Sequence, residues 1–130
     1  MKTNKIDGFE VGQNVSIIVV KNSNAWRSVK DNGKPRLFNA IITKIGKKYI
    51  TAETQNGDYV FDITNNLFEK TDTRVNYQLF PSREKAEEFV EKEQLEYEIR
   101  LFFGYYYGSV DFTLEELKTI KGIIDNVKNR

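Results

Sequence analysis

The chain has 130 residues, about the length of one domain, with 39% hydrophobic and 30% charged side chains and a formal net charge of +1. This composition is typical of a folded globular protein and argues against extended disorder. Cysteine and histidine are both absent, which excludes disulfide frameworks, thiolate or histidine metal sites, and nucleophiles that depend on a histidine base.

Five short segments rich in β-branched and aromatic residues predict strands in the first part of the chain. One of the turns between them contains Asn56-Gly57, a pair favoured in type I′ hairpins because both positions take positive φ. The polar stretch 21–36 predicts a long loop between the first two strands. This arrangement indicates a small, strongly bent barrel of the SH3-like kind. The predicted strands cover residues 15–20, 37–45, 49–54, 59–63 and 77–80.

The second predicted strand shows the clearest alternation. Its pattern places Ala40 and Ile42 on one face, and Ile41 and Ile45 on the other. We expect Ile42 and Phe61 to be buried in the barrel core on neighbouring strands.

Near Pro81 the pattern changes from strand-like to helix-like. Ser82 can cap a first helix, whose apolar stripe changes phase around residues 91–94 and so predicts a kink, a break or two separate helices. Thr113 and Glu116 have the spacing of a capping box at the start of the last helix. The predicted fold class is α+β: a small SH3-like antiparallel β-barrel over residues 1–80, then two or three C-terminal helices over 81–130. We expect these helices to pack on the barrel and form one compact unit with it.

The two halves of the chain differ in charge. Residues 1–80 carry 12 basic and 8 acidic side chains, whereas residues 81–130 carry 8 and 11. No apolar run approaches the roughly 20 residues that span a membrane, and the first residues lack the pattern of an export signal. We therefore expect no membrane partner and a cytoplasmic location.

The basic half contains aromatic side chains among its cations, as sites for single-stranded nucleic acid do. The alternative is that lysines keep the loop tips soluble and that Trp26 closes one end of the barrel. The net charge also lies well below that of a dedicated nucleic-acid binder. The candidate nucleic-acid-binding residues are Trp26, Arg27, Lys30, Lys34, Arg36, Lys44, Lys47, Lys48 and Tyr49.

A second candidate surface is the aromatic run Tyr105, Tyr106 and Tyr107. Tyrosine is enriched at interface hot spots, so this run indicates a protein-binding surface, although the helices and barrel could instead bury it. The sequence contains no phosphate-binding glycine loop, and the acidic row on the first helix is typical of a solvated face. We therefore expect no enzymatic activity, no catalytic residues, no metal site and no cofactor.

Three stretches resemble the small β-barrel-domain proteins of phages and plasmids of low-GC Gram-positive bacteria. They are V-G-Q-N-V at 11–15, T-K-I-G-K-K-Y-I-T at 43–51, and Y-Q-L-F-P-S at 77–82 before an acidic helix. The resemblance implies an accessory protein of a mobile element that binds and inhibits or modulates a bacterial host protein, including a defence nuclease in an anti-CRISPR-like role. A nucleic-acid-binding module is the alternative function.

Overall fold

A computed structural model describes residues 5–6, 8–103 and 111–130. These residues belong to two compact units, residues 1–86 and 87–130. The elements are β1 (Lys5–Ile6), β2 (Phe9–Glu10), β3 (Asn14–Val19), α1 (Asn24–Asn32), β4 (Leu37–Ile45), β5 (Tyr49–Thr54), β6 (Gly57–Asp62), a single 3₁₀ turn (Ile63–Asn65), β7 (Phe68–Glu69), β8 (Tyr77–Phe80), α2 (Arg83–Phe103) and α3 (Leu114–Lys128).

The first unit is built on a closed barrel of six antiparallel strands, β3 to β8 in chain order. The barrel closes where β3 pairs with β8, with Ile17 opposite Leu79. This confirms the predicted α+β class, an antiparallel barrel followed by helices. The barrel has one strand more than the five predicted. This additional strand, β7, has only two residues and is too short to show a pattern in the sequence. The packing of the helices on the barrel stays a prediction.

The barrel interior is filled by alternate residues of the strands. Ile42 and Phe61 are both buried, as predicted, with 1% and 0% of their surface exposed. They are not on neighbouring strands, however, because β5 lies between β4 and β6. On β5, Ala52 is opposite Ile42, and Ile50 is opposite Phe61. The buried cluster consists of Phe9, Val15, Ile17, Ala40, Ile42, Ile50, Ala52, Phe61 and Leu79.

A register shift between Ile42 and Lys44 interrupts the pairing of β4 with β5. An extra residue at such a bulge reverses the side-chain alternation beyond it. Ile45 therefore packs against the core, while Ile41 is 48% exposed. The prediction that Ile41 and Ile45 share a face was wrong for this reason.

The predicted loop at 21–36 contains a helix, α1. The Ser23 side chain accepts a hydrogen bond from the backbone N–H of Trp26 at the start of this helix. Gly33 ends the helix with a φ of 65°, a conformation that glycine adopts without strain. A serine cap and a terminal glycine thus outweigh the polar composition that suggested a loop.

The β5–β6 hairpin forms where Asn56-Gly57 predicted it, but its turn is different. Thr54 pairs with Gly57, so Gln55 and Asn56 form the turn. Gly57 has a φ of 120°, whereas Asn56 is not among the described residues with positive φ. The turn is held by the Thr54 hydroxyl, which accepts a hydrogen bond from the Asn56 N–H and donates one to the Gly57 carbonyl.

The helix α2 is continuous over Arg83–Phe103, so the predicted break into two helices at 91–94 was wrong, whereas the alternative of a kink there stays a prediction. Its first turn is capped by Ser82, whose hydroxyl accepts a hydrogen bond from the Lys85 N–H. Ala86 and Ile99 are both fully buried. At about 100° per residue they lie on nearly opposite sides of the helix. The change of phase in the sequence therefore marks two apolar faces of one helix.

In the second unit, α2 and α3 pack around Ile99, Leu117 and Ile124. The two helices run in the same direction: Lys118 pairs with Glu91, and Lys121, further along α3, pairs with Glu98, further along α2. The predicted capping box is confirmed, because Thr113 and Glu116 each donate a backbone N–H to the side chain of the other. None of the described helices combines the length and apolar character needed to cross a bilayer.

Candidate functional site

The basic residues of the candidate nucleic-acid site fall into two groups at opposite ends of β4. One group lies on α1 and the segment leading to Leu37, where β4 begins. The other lies at the turn that follows Ile45, where β4 ends. Eight residue steps at roughly 3.3 Å separate the ends by up to about 26 Å along the strand. The candidate residues therefore lie in two groups, one at each end of β4.

At the α1 end, Trp26 and Arg36 contact each other, and Arg36 is hydrogen-bonded to β3. The Arg36 guanidinium lies 4.7 Å from the centroid of the Trp26 ring, and its Nε donates a hydrogen bond to the Val19 carbonyl. Both side chains are partly buried. The remaining cations of this group are exposed: Arg27 and Lys30 lie on α1, and Lys34 follows the end of that helix.

The other group surrounds a groove on the outer face of the barrel. Because Ile50, Ala52 and Phe61 point inward, their neighbours Tyr49 and Thr51 point outward. Lys44 lies opposite Thr51 in the β4–β5 pairing. The groove has a volume of about 270 Å³ and is lined by Lys44, Gly46, Lys47, Lys48, Tyr49, Thr51 and Val60.

The structure adds a fourth cation, Lys70, which the sequence analysis missed. Its Nζ lies 4.5 Å from the centroid of the Tyr49 ring, and the Nζ of Lys48 lies 5.4 Å from it. The Lys70 backbone N–H donates to the Val60 carbonyl at 2.8 Å, which fixes Lys70 beside β6. Only the pairing of β6 with the two-residue strand β7 brings Lys70 to Tyr49, so no local pattern indicates it.

We name the surface formed by Lys44, Lys47, Lys48, Tyr49 and Lys70 the hairpin site. All four lysines are exposed. Among the described residues, none of the four forms an ion pair with a carboxylate. Their charges are therefore available to an anionic partner.

The carboxylate of Asp62 lies near the hairpin site. The Thr64 hydroxyl and N–H donate hydrogen bonds to its Oδ1 at 2.7 and 2.9 Å. The hydroxyl bond is the main cause that holds the pKa of Asp62 below its ordinary value, and the Lys48 charge acts in the same direction. Asp62 thus stays ionised near neutral pH and lowers the net positive charge around the hairpin site without forming an ion pair with any of its lysines.

A larger groove of about 390 Å³ lies between α2 and α3, lined by Glu98, Leu101, Phe102, Lys121, Ile124 and Lys128. One of its cations, Lys121, already has carboxylate partners. The Lys121 ammonium pairs with Asp125 at 2.9 Å and with Glu98 at 3.5 Å. The hydrogen bond to Asp125 is the main cause that raises the pKa of Lys121. This cation is already neutralised by its own helices. Within the described chain, no group of three or more carboxylates is placed to hold a metal ion.

The candidate protein-binding residues Tyr105, Tyr106 and Tyr107 lie outside the described residues. The described chain does contain another aromatic group, Phe38, Tyr59 and Tyr77, whose ring centroids are 5.0 to 6.1 Å apart. These rings are tilted or edge-on to one another and pack against the barrel core.

The described structure is that of a small β-barrel protein with C-terminal helices and a basic hairpin. The chain belongs to the family of phage ProQ C-terminal-like domains, whose model matches residues 1–127. This confirms the phage association that the sequence resemblance implied, while the low-GC Gram-positive host range stays a prediction. Neither the curated proteins nor the solved structures contain a match to the chain.

Proposed function

We propose that this phage protein is a non-catalytic module that binds nucleic acid through the hairpin site. The observation that carries the proposal is the arrangement of four exposed lysines around one aromatic ring and an open groove. Lysine side chains that neutralise phosphates supply most of the affinity for nucleic acid, through release of bound counterions. The first unit also carries the excess of positive charge, with 14 basic and 9 acidic side chains in residues 1–86.

The test is a charge reversal with a matched control. We expect Lys47→Glu combined with Lys48→Glu to abolish binding of a fluorescent 20-nucleotide strand, measured by anisotropy at 50 mM salt, because repulsion replaces attraction to phosphate. The control, Lys30→Glu with Lys34→Glu, makes the same change in net charge at the other end of β4. We expect it to alter the affinity by less than about threefold, since exposed charges separated by more than the Debye length, about 14 Å at 50 mM salt, are largely screened.

Equal losses in the two double variants would contradict a site at the hairpin, because they would show that only the overall charge matters. Far-UV circular dichroism confirms that each variant is folded. Native protein that binds no strand at 50 mM salt would contradict the proposed function altogether.

A second candidate function is the binding and inhibition of a bacterial host protein in the host cytoplasm, including a defence nuclease of the CRISPR type. Its support is the phage family together with the tyrosine run 105–107 in the sequence. The test is a pull-down from a bacterial lysate with the native chain and with a variant in which these tyrosines are alanine. A single stoichiometric host protein that the variant fails to retain would favour this function over nucleic-acid binding.

A further inference from the structure

The ring of Tyr49 has two lysine ammonium groups close to it. Lys48 comes from the adjacent position in the chain, and Lys70 directly follows β7. An ammonium within about 6 Å of an aromatic centroid is attracted to the ring face. Tyr49 therefore holds together two cations that are 22 positions apart in sequence.

An aromatic residue in a nucleic-acid site can stack on a base or can organise the cations that bind phosphate. Stacking needs an accessible ring face and usually several rings in succession. Tyr49 is partly buried, and a base that stacks where an ammonium now lies must displace that ammonium. Among the described residues that line the groove, Tyr49 is the one aromatic. Three other aromatic rings of the barrel, those of Phe38, Tyr59 and Tyr77, pack on one another and on the core.

We propose that Tyr49 is a positioning residue for Lys48 and Lys70, and that the hairpin site binds the sugar-phosphate backbone of a nucleic-acid strand without reading its bases. This role of Tyr49 rests on the proposed function of the site. It assigns to Lys70 a phosphate contact equal in kind to those of the hairpin lysines. The ligand class is then a strand of any sequence, with its negative charge as the recognised feature.

The first measurement compares three 20-nucleotide strands at one salt concentration: oligo-dT, oligo-dA and an abasic strand that has the backbone alone. We expect their dissociation constants to agree within about threefold. A stacked base contributes roughly 5- to 150-fold in affinity. A loss of that size with the abasic strand would overturn the backbone-only mode while leaving nucleic-acid binding intact.

The second measurement separates an organiser of cations from a stacking platform. We expect Tyr49→Leu, which removes the ring, to lower the affinity for the abasic strand and for oligo-dT by the same factor. Both strands depend on the two lysines that Tyr49 positions. Tyr49→Phe keeps the ring and should stay within about twofold of the native affinity for both strands. If Tyr49→Leu weakens oligo-dT alone, Tyr49 is a stacking residue and the proposed role is wrong.

The third measurement tests Lys70 through the salt dependence of binding. Each phosphate contact to a single strand contributes about 0.7 to the slope of log affinity against log salt. Lys70→Gln should therefore lower that slope by about 0.7, and the matched control Lys34→Gln should leave it unchanged. An unchanged slope in Lys70→Gln would overturn the assignment of Lys70. If the native protein binds none of the three strands, the proposed function itself fails, and this inference fails with it.

Discussion

Phe61 is the largest of the fully buried side chains in the described chain. Removal of a buried phenylalanine ring loses its transfer free energy and leaves a cavity that the surrounding strands fill only in part. We expect Phe61→Ala to lower the free energy of unfolding by about 3–5 kcal/mol, measured by urea titration. The control is Ile41→Ala on the exposed face of β4, which should change it by less than about 1 kcal/mol. Similar losses in the two variants would show that the barrel faces are wrongly assigned.

Asp62 provides a prediction about pH. Its pKa is lowered mainly by the hydrogen bond from the Thr64 hydroxyl, so this bond stabilises the ionised form in the folded state. The contribution to stability is complete above the unfolded pKa of about 3.9 and is lost as pH falls through the lower folded value. We expect Thr64→Val to raise the pKa of Asp62 towards its ordinary value. The measurement is an NMR titration from pH 6 to 2 that records the chemical shift of the Asp62 carboxyl carbon. Thr64→Ser keeps a hydroxyl and should leave the titration unchanged. A Thr64→Val titration identical to the native one would refute the assigned cause.

Individual residues show which parts of the structure sequence patterns can predict. The burial of Ile42 and Phe61 follows from strand alternation, and the structure confirms it. The inward orientation of the Ile45 side chain could not be predicted, because a bulge is a property of the pairing between two strands. Lys70 escaped prediction for a similar reason. Its place beside Tyr49 depends on contacts between strands that are distant along the chain.

Among the elements, α3 has the most explicit local signal. Thr113 and Glu116 satisfy each other's backbone N–H groups at 3.1 and 2.9 Å. We expect Thr113→Ala to destabilise this helix by roughly 0.5–2 kcal/mol, measured from the exchange protection of the α3 amides. Thr113→Ser retains the hydroxyl acceptor and should preserve most of the protection. Equal protection in Thr113→Ala and native protein would show that the cap contributes nothing.

The other helices show where local signals mislead. Polar composition hid α1, although Ser23 and Gly33 mark its two ends. For α2, the change of phase in the apolar stripe predicted a break only because a helix was expected to have a single apolar face. Ala86 and Ile99 are both fully buried, and their opposite directions explain the pattern without a break. Caps were thus better guides to these helices than composition or periodicity.

At the scale of the whole molecule, the described parts of the two units differ in the number of apolar residues that form a buried cluster. The described part of residues 87–130 has a buried cluster of three residues, Ile99, Leu117 and Ile124, whereas the barrel cluster has nine. Regions with few buried contacts open at lower free energy than the core of a protein.

We therefore expect the amides of Leu117 and Ile124 to exchange with solvent faster than those of Ile50 and Ala52, by about tenfold or more at pH 7. Native-state hydrogen exchange measures this directly, and addition of low concentrations of urea distinguishes local from global opening. The same exchange free energy at all four amides would instead show that the chain unfolds as a single cooperative unit.

The closure of the barrel also has a consequence for how the chain folds. Ser16 pairs with Phe80, 64 positions further along the chain, while the other strand pairs of the barrel join neighbours in sequence. Pairings between distant segments carry the largest loop-closure entropy and slow the folding of β proteins. During synthesis on the ribosome, β3 can pair with β4 early, but its second edge must wait until β8 has left the exit tunnel. The ring of strands is therefore completed last, and until then the edge of β3 that later pairs with β8 stays open to wrong pairing.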